Sequence, residues 1–197
     1  MPDMLGPLVL FALVMSFTPG PNVIMITAST ANFGFARTVP QMLGITLGFA
    51  AMILAAGLGL AGLVQAEPHL HTVLRYVGGA YLLYLAWRIA RTDAQGNAAA
   101  RARPFRLVEA VLFTWVNPKA WVMAIGALAA FTSADGDLLS ETAVITGVLA
   151  AACFASAVTW AGFGAAIRRF LGSPRARRTF NWAMAGLLVL SLIPVFL

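Results

Sequence analysis

The sequence predicts an all-α membrane protein of six transmembrane helices, arranged as a 3+3 inverted repeat in which helices 1 and 4 are broken. Three observations lead there. The 197 residues are 60% hydrophobic and only 10% charged, with mean hydropathy +0.85, whereas a soluble domain carries about 25% charge. Apolar stretches recur at the ~20 residues that a helical span requires. The first and fourth of these stretches are each interrupted by proline in the middle.

Span one covers about Met4–Ala28 and has no basic segment before it, so it reads as a retained span and not as a cleaved signal. Span two covers about Val39–Val64, span three about Leu70–Ala90, span four about Leu107–Phe131, span five about Thr142–Ile167 and span six about Phe180–Leu197. The runs are too long and continuous for the alternating pattern of a membrane barrel. The chain is expected to be a single transmembrane domain, 1–197, with repeats at about 4–90 and 107–197 and a cytoplasmic linker at 91–106. The polar stretch Asp93-Ala94-Gln95-Gly96-Asn97 and the alanines after it suit such a linker. Gly172-Ser173-Pro174 reads as a turn between spans five and six.

The connections set the orientation. Arg37 follows span one. Arg88, Arg91, Arg101, Arg103 and Arg106 surround the three–four connection, and Arg168, Arg169, Arg175, Arg177 and Arg178 the five–six connection. The opposite connections hold Glu67, His69 and His71, then Asp135, Asp137 and Glu141, with Arg75 just inside span three. Basic residues stay cytoplasmic, so both termini are expected on the outer side of the membrane. This placement accounts for the net charge of +6 without nucleic acid, and it lets the arginines meet anionic lipid. Three spans per half invert the second half relative to the first. Both breaks then lie about 15–22 Å deep at 1.5 Å per residue, near the midplane from either side.

The breaks are Thr18-Pro19-Gly20-Pro21-Asn22 and Trp115-Val116-Asn117-Pro118-Lys119-Ala120. Proline has no N–H and crowds the carbonyl four residues back. Pro19, Pro21 and Pro118 are therefore expected to free the carbonyls of Met15, Phe17 and Thr114. In hydrocarbon such a break must be sheltered by protein or line a cavity. Proline kinking alone could account for either break, but two at matching places point to a transporter's binding site. Each half-helix that restarts after a break offers unpaired N–H groups and partial positive charge. A carboxylate suits those ends, and the freed carbonyls suit an ammonium. The substrate expected is a free amino acid.

The candidate substrate-binding residues are Thr18, Pro19, Gly20, Pro21, Asn22, Asn117, Pro118 and Lys119. Lys119 is the one basic residue deep inside a span, and an ionisable group there is a functional candidate by default. It could bind the substrate carboxylate or exchange a proton; snorkelling to the interface is the competing role. Asn22 and Asn117 could cap the half-helices or face substrate. Asp3, Glu67 and Glu109 fall near span ends, so the acidic proton relay of many transporters is not evident.

Other features read as structural. Gly44-x-x-x-Gly48 permits close helix packing. His69-x-His71 lacks a third metal ligand, so no metal is expected. Cys153, the single cysteine, excludes an intrachain disulfide and reads as a small packing residue. Tyr76, Tyr81, Tyr84, Trp87, Trp121, Trp160 and Trp182 read as interface anchors or packing residues. The nucleophile–base pairs and phosphate loops of enzymes are absent, and no cofactor is expected.

At these residues the chain resembles the LysE/RhtB family of amino-acid exporters. The resemblance rests on Thr18-Pro19-Gly20-Pro21-Asn22 with Gly34, Arg37 and Leu43-Gly44-Ile45-Thr46-Leu47-Gly48, on Val77-Gly78-Gly79-Ala80-Tyr81-Leu82-Leu83-Tyr84-Leu85-Ala86-Trp87, and on Asn117-Pro118-Lys119-Ala120. Length and span number also fit, so it covers nearly the whole chain. The chain departs at Thr38 and Val39, where many members place a glycine. The resemblance implies a bacterial inner-membrane exporter of amino acids driven by the proton gradient, with both proline motifs functional. The family's substrates include lysine and arginine, homoserine and threonine, leucine, and cysteine or O-acetylserine. A cation would be expected to meet an acidic site, would be repelled by Lys119, and would move outward against about 2.3 kcal/mol per 100 mV. A neutral amino acid is favoured. The alternatives are a basic amino-acid exporter, a membrane redox carrier (for which one cysteine is too few), and a non-transporting membrane subunit. A homo-oligomer is compatible with all of these readings.

Overall fold

The computed structural model describes residues 2–60, 68–92, 103–133 and 136–193, with side chains except at 2–3, 60 and 68–75. Regular structure among these residues is entirely helical. The first broken segment is α1 (Pro2–Phe17) and α2 (Pro21–Phe33). Then α3 (Phe35–Ala55) ends in a π-helical turn (Ala56–Leu60), and α4 (Pro68–Ala90) follows. The second broken segment is α5 (Leu107–Trp115) and α6 (Pro118–Phe131). The chain finishes with α7 (Leu138–Arg168) and α8 (Pro174–Leu190).

The chain bends where the prolines stand, by 54° between α1 and α2 and by 65° between α5 and α6. Pro21 and Pro118 open the second helix of each pair, a position where the missing N–H leaves no helical bond unmade. Phe35–Gly59 and Leu138–Arg168 are each long and apolar enough to cross a bilayer, and each bent pair qualifies if it counts as one span. The remaining two helices fall short of that standard. Arg75, Arg88 and three tyrosines dilute α4, and α8, at 17 residues, is too short.

Several boundaries differ from the sequence expectation. The first segment runs past Ala28 to Phe33 and α3 begins at Phe35, so the turn is a single residue. Gly34 makes that turn at φ +90°, where its N–H donates to the carbonyl of Thr30 at 2.9 Å. A β-carbon there would be strained and would strike the Arg168 guanidinium. The last helix starts at Pro174 instead of near Phe180, because Ser173 Oγ accepts the Ala176 N–H at 3.1 Å and Pro174 fits the first turn. The expected turn is thus also a helix cap. Residues 93–102 of the expected linker, with Glu67 and Asp135, lie outside the described residues. So do the side chains of Asp3, His69, His71 and Arg75.

Small residues let the helices approach closely. Gly44 and Gly48 press α3 onto α5, against Leu107, Ala110, Val111 and Thr114. Gly164 presses α7 onto Thr27 and Thr30 of α2. Lipid is as apolar as a leucine side chain, so this contact area, and not escape from water, holds such helices together. In outline, α7 packs against α1, α2 and α3; α3 also runs along α5; and α4 packs on α8.

The arginine-bearing ends gather on one face. There, Asn32 and Asn181 exchange amide hydrogen bonds at 2.7 and 3.3 Å, and the Asn181 amide also donates to the carbonyl of Thr92. Arg103 holds Glu109 at 2.8 and 2.6 Å, with Arg88 at 3.9 Å, while Glu109 caps α5 through the Arg106 N–H at 2.8 Å. The opposite face is tied by Glu141, which accepts from the N–H and Oγ of Ser133 at 2.8 and 2.6 Å.

Candidate functional site

Both breaks are built from local bonds. Thr18 ends α1 by donating its N–H and Oγ1 to the carbonyl of Val14, at 3.1 and 2.6 Å. Gly20 then runs extended and leads into α2. In the second break Asn117 is the cap. Its Oδ1 accepts the Lys119 N–H at 3.1 Å. Of the two roles open to the asparagines, capping thus falls to Asn117; α2 has no side-chain cap.

One expected acceptor is lost. Pro118 cannot donate to Thr114, but the Asn117 N–H reaches the Thr114 carbonyl at 3.2 Å, closing α5 with a tighter turn. Pro19 and Pro21 still bring no N–H to Met15 and Phe17. The break carbonyls that take side-chain donors are others. Ser16 accepts from Ser156 Oγ at 2.7 Å, Thr18 from Lys119 Nζ at 2.6 Å, and Trp115 from Trp121 Nε1 at 2.7 Å. Trp121, expected to be an interface anchor or a packing residue, packs against the core and also closes the second break.

The two breaks meet. Besides the Lys119–Thr18 bond, Asn117 Nδ2 donates to Asn22 Oδ1 at 3.3 Å. The Lys119 side chain lies over Gly20, where a β-carbon would come within 2.9 Å of its Cδ. Beside this junction is a cavity of about 500 Å³, counted out to its open mouth. Six of the eight candidate residues line it: Thr18, Gly20, Pro21, Asn22, Asn117 and Lys119. Pro19, which is exposed, and Pro118, which is half-buried, are not on its wall.

The wall also includes residues that sequence reasoning did not place at the site: Ser16, Phe49, Met123, Cys153 and Ser156. Ser16 lies two residues before the first motif, and its Oγ is buried with no partner among the described residues. Cys153 was read as packing; it does pack against the core, and it also reaches the cavity. Ile26, Ile45 and Ala157 join Phe49 and Met123 in its apolar part. Chemically the cavity offers one ammonium, two helix N-termini, two amides and hydroxyl groups over an apolar base. No carboxylate lines it among the described residues.

The sequence profile of LysE type translocators matches residues 13–195, which take in both breaks and every cavity residue. The chain belongs to the LysE type translocator family. Membership makes it a transport protein of the membrane, in keeping with its helices. Among LysE-family relatives, a cysteine/O-acetylserine efflux protein of Salmonella typhimurium is 30% identical over 196 residues, 99% of this chain and 98% of its own. The protein of the same name in Salmonella choleraesuis is equally similar. That of Escherichia coli is 28% identical over the same shares. No solved structure matches the chain.

Proposed function

We propose that this LysE translocator exports a neutral amino acid from the cytoplasm, of the size and polarity of cysteine or O-acetylserine, using the proton-motive force. The observation that carries the reading is the junction of two half-helix N-termini with Lys119 at one cavity. The helix ends and the ammonium favour a carboxylate. The Thr18 carbonyl, now held by Lys119 Nζ, suits an α-ammonium. Ser16, Ser156 and Cys153 give a small polar side chain partners beside the apolar base. The efflux function named for the relatives agrees. A lysine- or arginine-sized cation would meet Lys119 with no carboxylate among the described residues of the wall to balance it.

The proposed architecture is six spans in two inverted halves within one domain in the inner membrane, with both termini outside. The packing supports it: exchanging α1, α2, α3 and α4 for α5, α6, α7 and α8 maps the main contacts onto contacts. Thus α3 on α5 becomes α7 on α1, α2 on α7 becomes α6 on α3, and the α3–α7 and α4–α8 pairs map onto themselves. The clustering of arginine-bearing ends on one face supports the orientation.

The test is efflux from proteoliposomes loaded with labelled O-acetylserine, cysteine, leucine or lysine, with and without an imposed proton gradient. Gradient-dependent loss of O-acetylserine or cysteine but not lysine is the expected result. Lysine efflux alone, or no efflux of any, overturns the reading.

A further inference from the structure

Three helices lead away from the cavity together. Ile26 of α2, Ile45 of α3 and Ala157 of α7 line the cavity and pack in one cluster with Met42 and Ala161. One helical turn further from the cavity come Thr30 on α2, Gln41 on α3 and Trp160–Ala161 on α7. One turn beyond Thr30, Gly34 meets the guanidinium of Arg168, which reaches back from the end of α7 at the arginine-bearing face. The seam therefore runs from cavity, through an apolar layer, to a polar layer, and out to a charged mouth.

The polar layer is anomalous. Gln41 and Thr30 are both 0% exposed. Neither amide atom of Gln41 has a partner among the described residues, nor has Thr30 Oγ1 or the indole N–H of Trp160. Buried amides and hydroxyls are almost always hydrogen-bonded, because leaving them bare forfeits their interaction with water. Thr27 adds a fourth polar side chain, its Oγ1 reaching the Trp160 carbonyl at 3.5 Å. Simple packing would be served better by leucine or methionine at position 41. The small residues Ala157, Ala161 and Gly164 on the α7 side keep the seam thin.

We infer that the seam between α2, α3 and α7 is the cytoplasmic arm of the translocation path, with Gln41 and Thr30 as a polar station for the zwitterionic substrate and the Ile26–Ile45–Ala157 layer as the closed gate above it. The inference rests on the exporter reading and adds the route to it. In an inward-open state the gate parts, and the substrate's ammonium and carboxylate find at Gln41 a carbonyl and an NH₂ that have no partner in the closed state. Alternating access about a fixed midplane site requires one such arm on each side.

Two measurements test this, and both results are required. Gln41→Met keeps the side chain's length and removes its amide. It is expected to raise the Tm of the purified protein by about 2–4 °C while lowering O-acetylserine efflux about tenfold. Unchanged efflux, or a Tm that falls along with efflux, overturns the inference, because Gln41 would then be idle or merely structural. Gln41→Cys is expected to react with a membrane-impermeant thiosulfonate applied to the cytoplasmic face about tenfold faster than the wild type, whose single thiol, Cys153, sets the background. Absence of that reaction, or reaction only from the outer face, overturns it. If the wild type exports nothing, the exporter reading fails and the labelling alone decides whether the seam opens.

Discussion

Lys119 Nζ donates to the backbone carbonyl of Thr18 at 2.6 Å across 101 residues of sequence. The bond uses the one ammonium that the described residues place on the cavity wall to hold a carbonyl exposed by the first break. A substrate carboxylate would compete for that ammonium, and a substrate α-ammonium could take its place at Thr18. Binding would then loosen one broken segment from the other, which is a direct physical link between occupancy and movement.

Removing the ammonium breaks that link. Lys119→Met should lower efflux about tenfold or more with the protein still folded, as read by labelled efflux from proteoliposomes. Gly20→Ala should act through the same group, since its β-carbon falls 2.9 Å from Lys119 Cδ and 3.2 Å from Nζ and the flexible side chain yields. The double variant should be no worse than Lys119→Met alone, which a double-mutant cycle checks.

Asn117 combines a cap with an inter-segment contact, and two substitutions separate them. Asn117→Ser keeps a capping oxygen for the Lys119 N–H but cannot reach Asn22, whereas Asn117→Ala loses both. Thermal unfolding should place Asn117→Ser near the wild type and Asn117→Ala about 1 kcal/mol lower. Efflux should fall in both, because Asn22 loses its donor in each.

The two cavity serines should behave oppositely. Ser156→Ala leaves the Ser16 carbonyl buried without its donor and should cost about 1–3 kcal/mol of stability. Ser16→Ala removes a hydroxyl that has no partner among the described residues. Stability should hold or rise, while the concentration of O-acetylserine needed for half-maximal efflux increases. Equal stability losses in both variants would show that the Ser16 hydroxyl is a packing element.

The α3–α5 contact should tolerate no added methyl group. Gly44→Ala places a carbon 2.8 Å from Ala110 Cβ and against the Leu107 backbone, which should cost about 1–3 kcal/mol in thermal unfolding. Gly126→Ala, with nothing within 4 Å of its new carbon, should be neutral or stabilise α6 by about 0.5–1 kcal/mol.

What the sequence determined by itself is whatever depends on chemistry next to a residue. A proline lacks its N–H in any fold, so the interruptions at Pro19–Pro21 and Pro118 were legible, as were the apolar helices and the arginines at alternate connections. Local reasoning failed at Thr114, where the Asn117 amide, one residue nearer than the helical partner, closed the turn. Only the tertiary structure decided that the two breaks touch, that Lys119 finds Thr18, and that Ser16, Ser156 and Cys153 share a cavity. Those contacts join residues about a hundred or more positions apart, brought together by α6 packing on α1 and α3 and by α7 packing on α1, α2 and α3. A serine or cysteine on a membrane helix looks the same in the sequence whether it faces a neighbour, a lipid or a ligand.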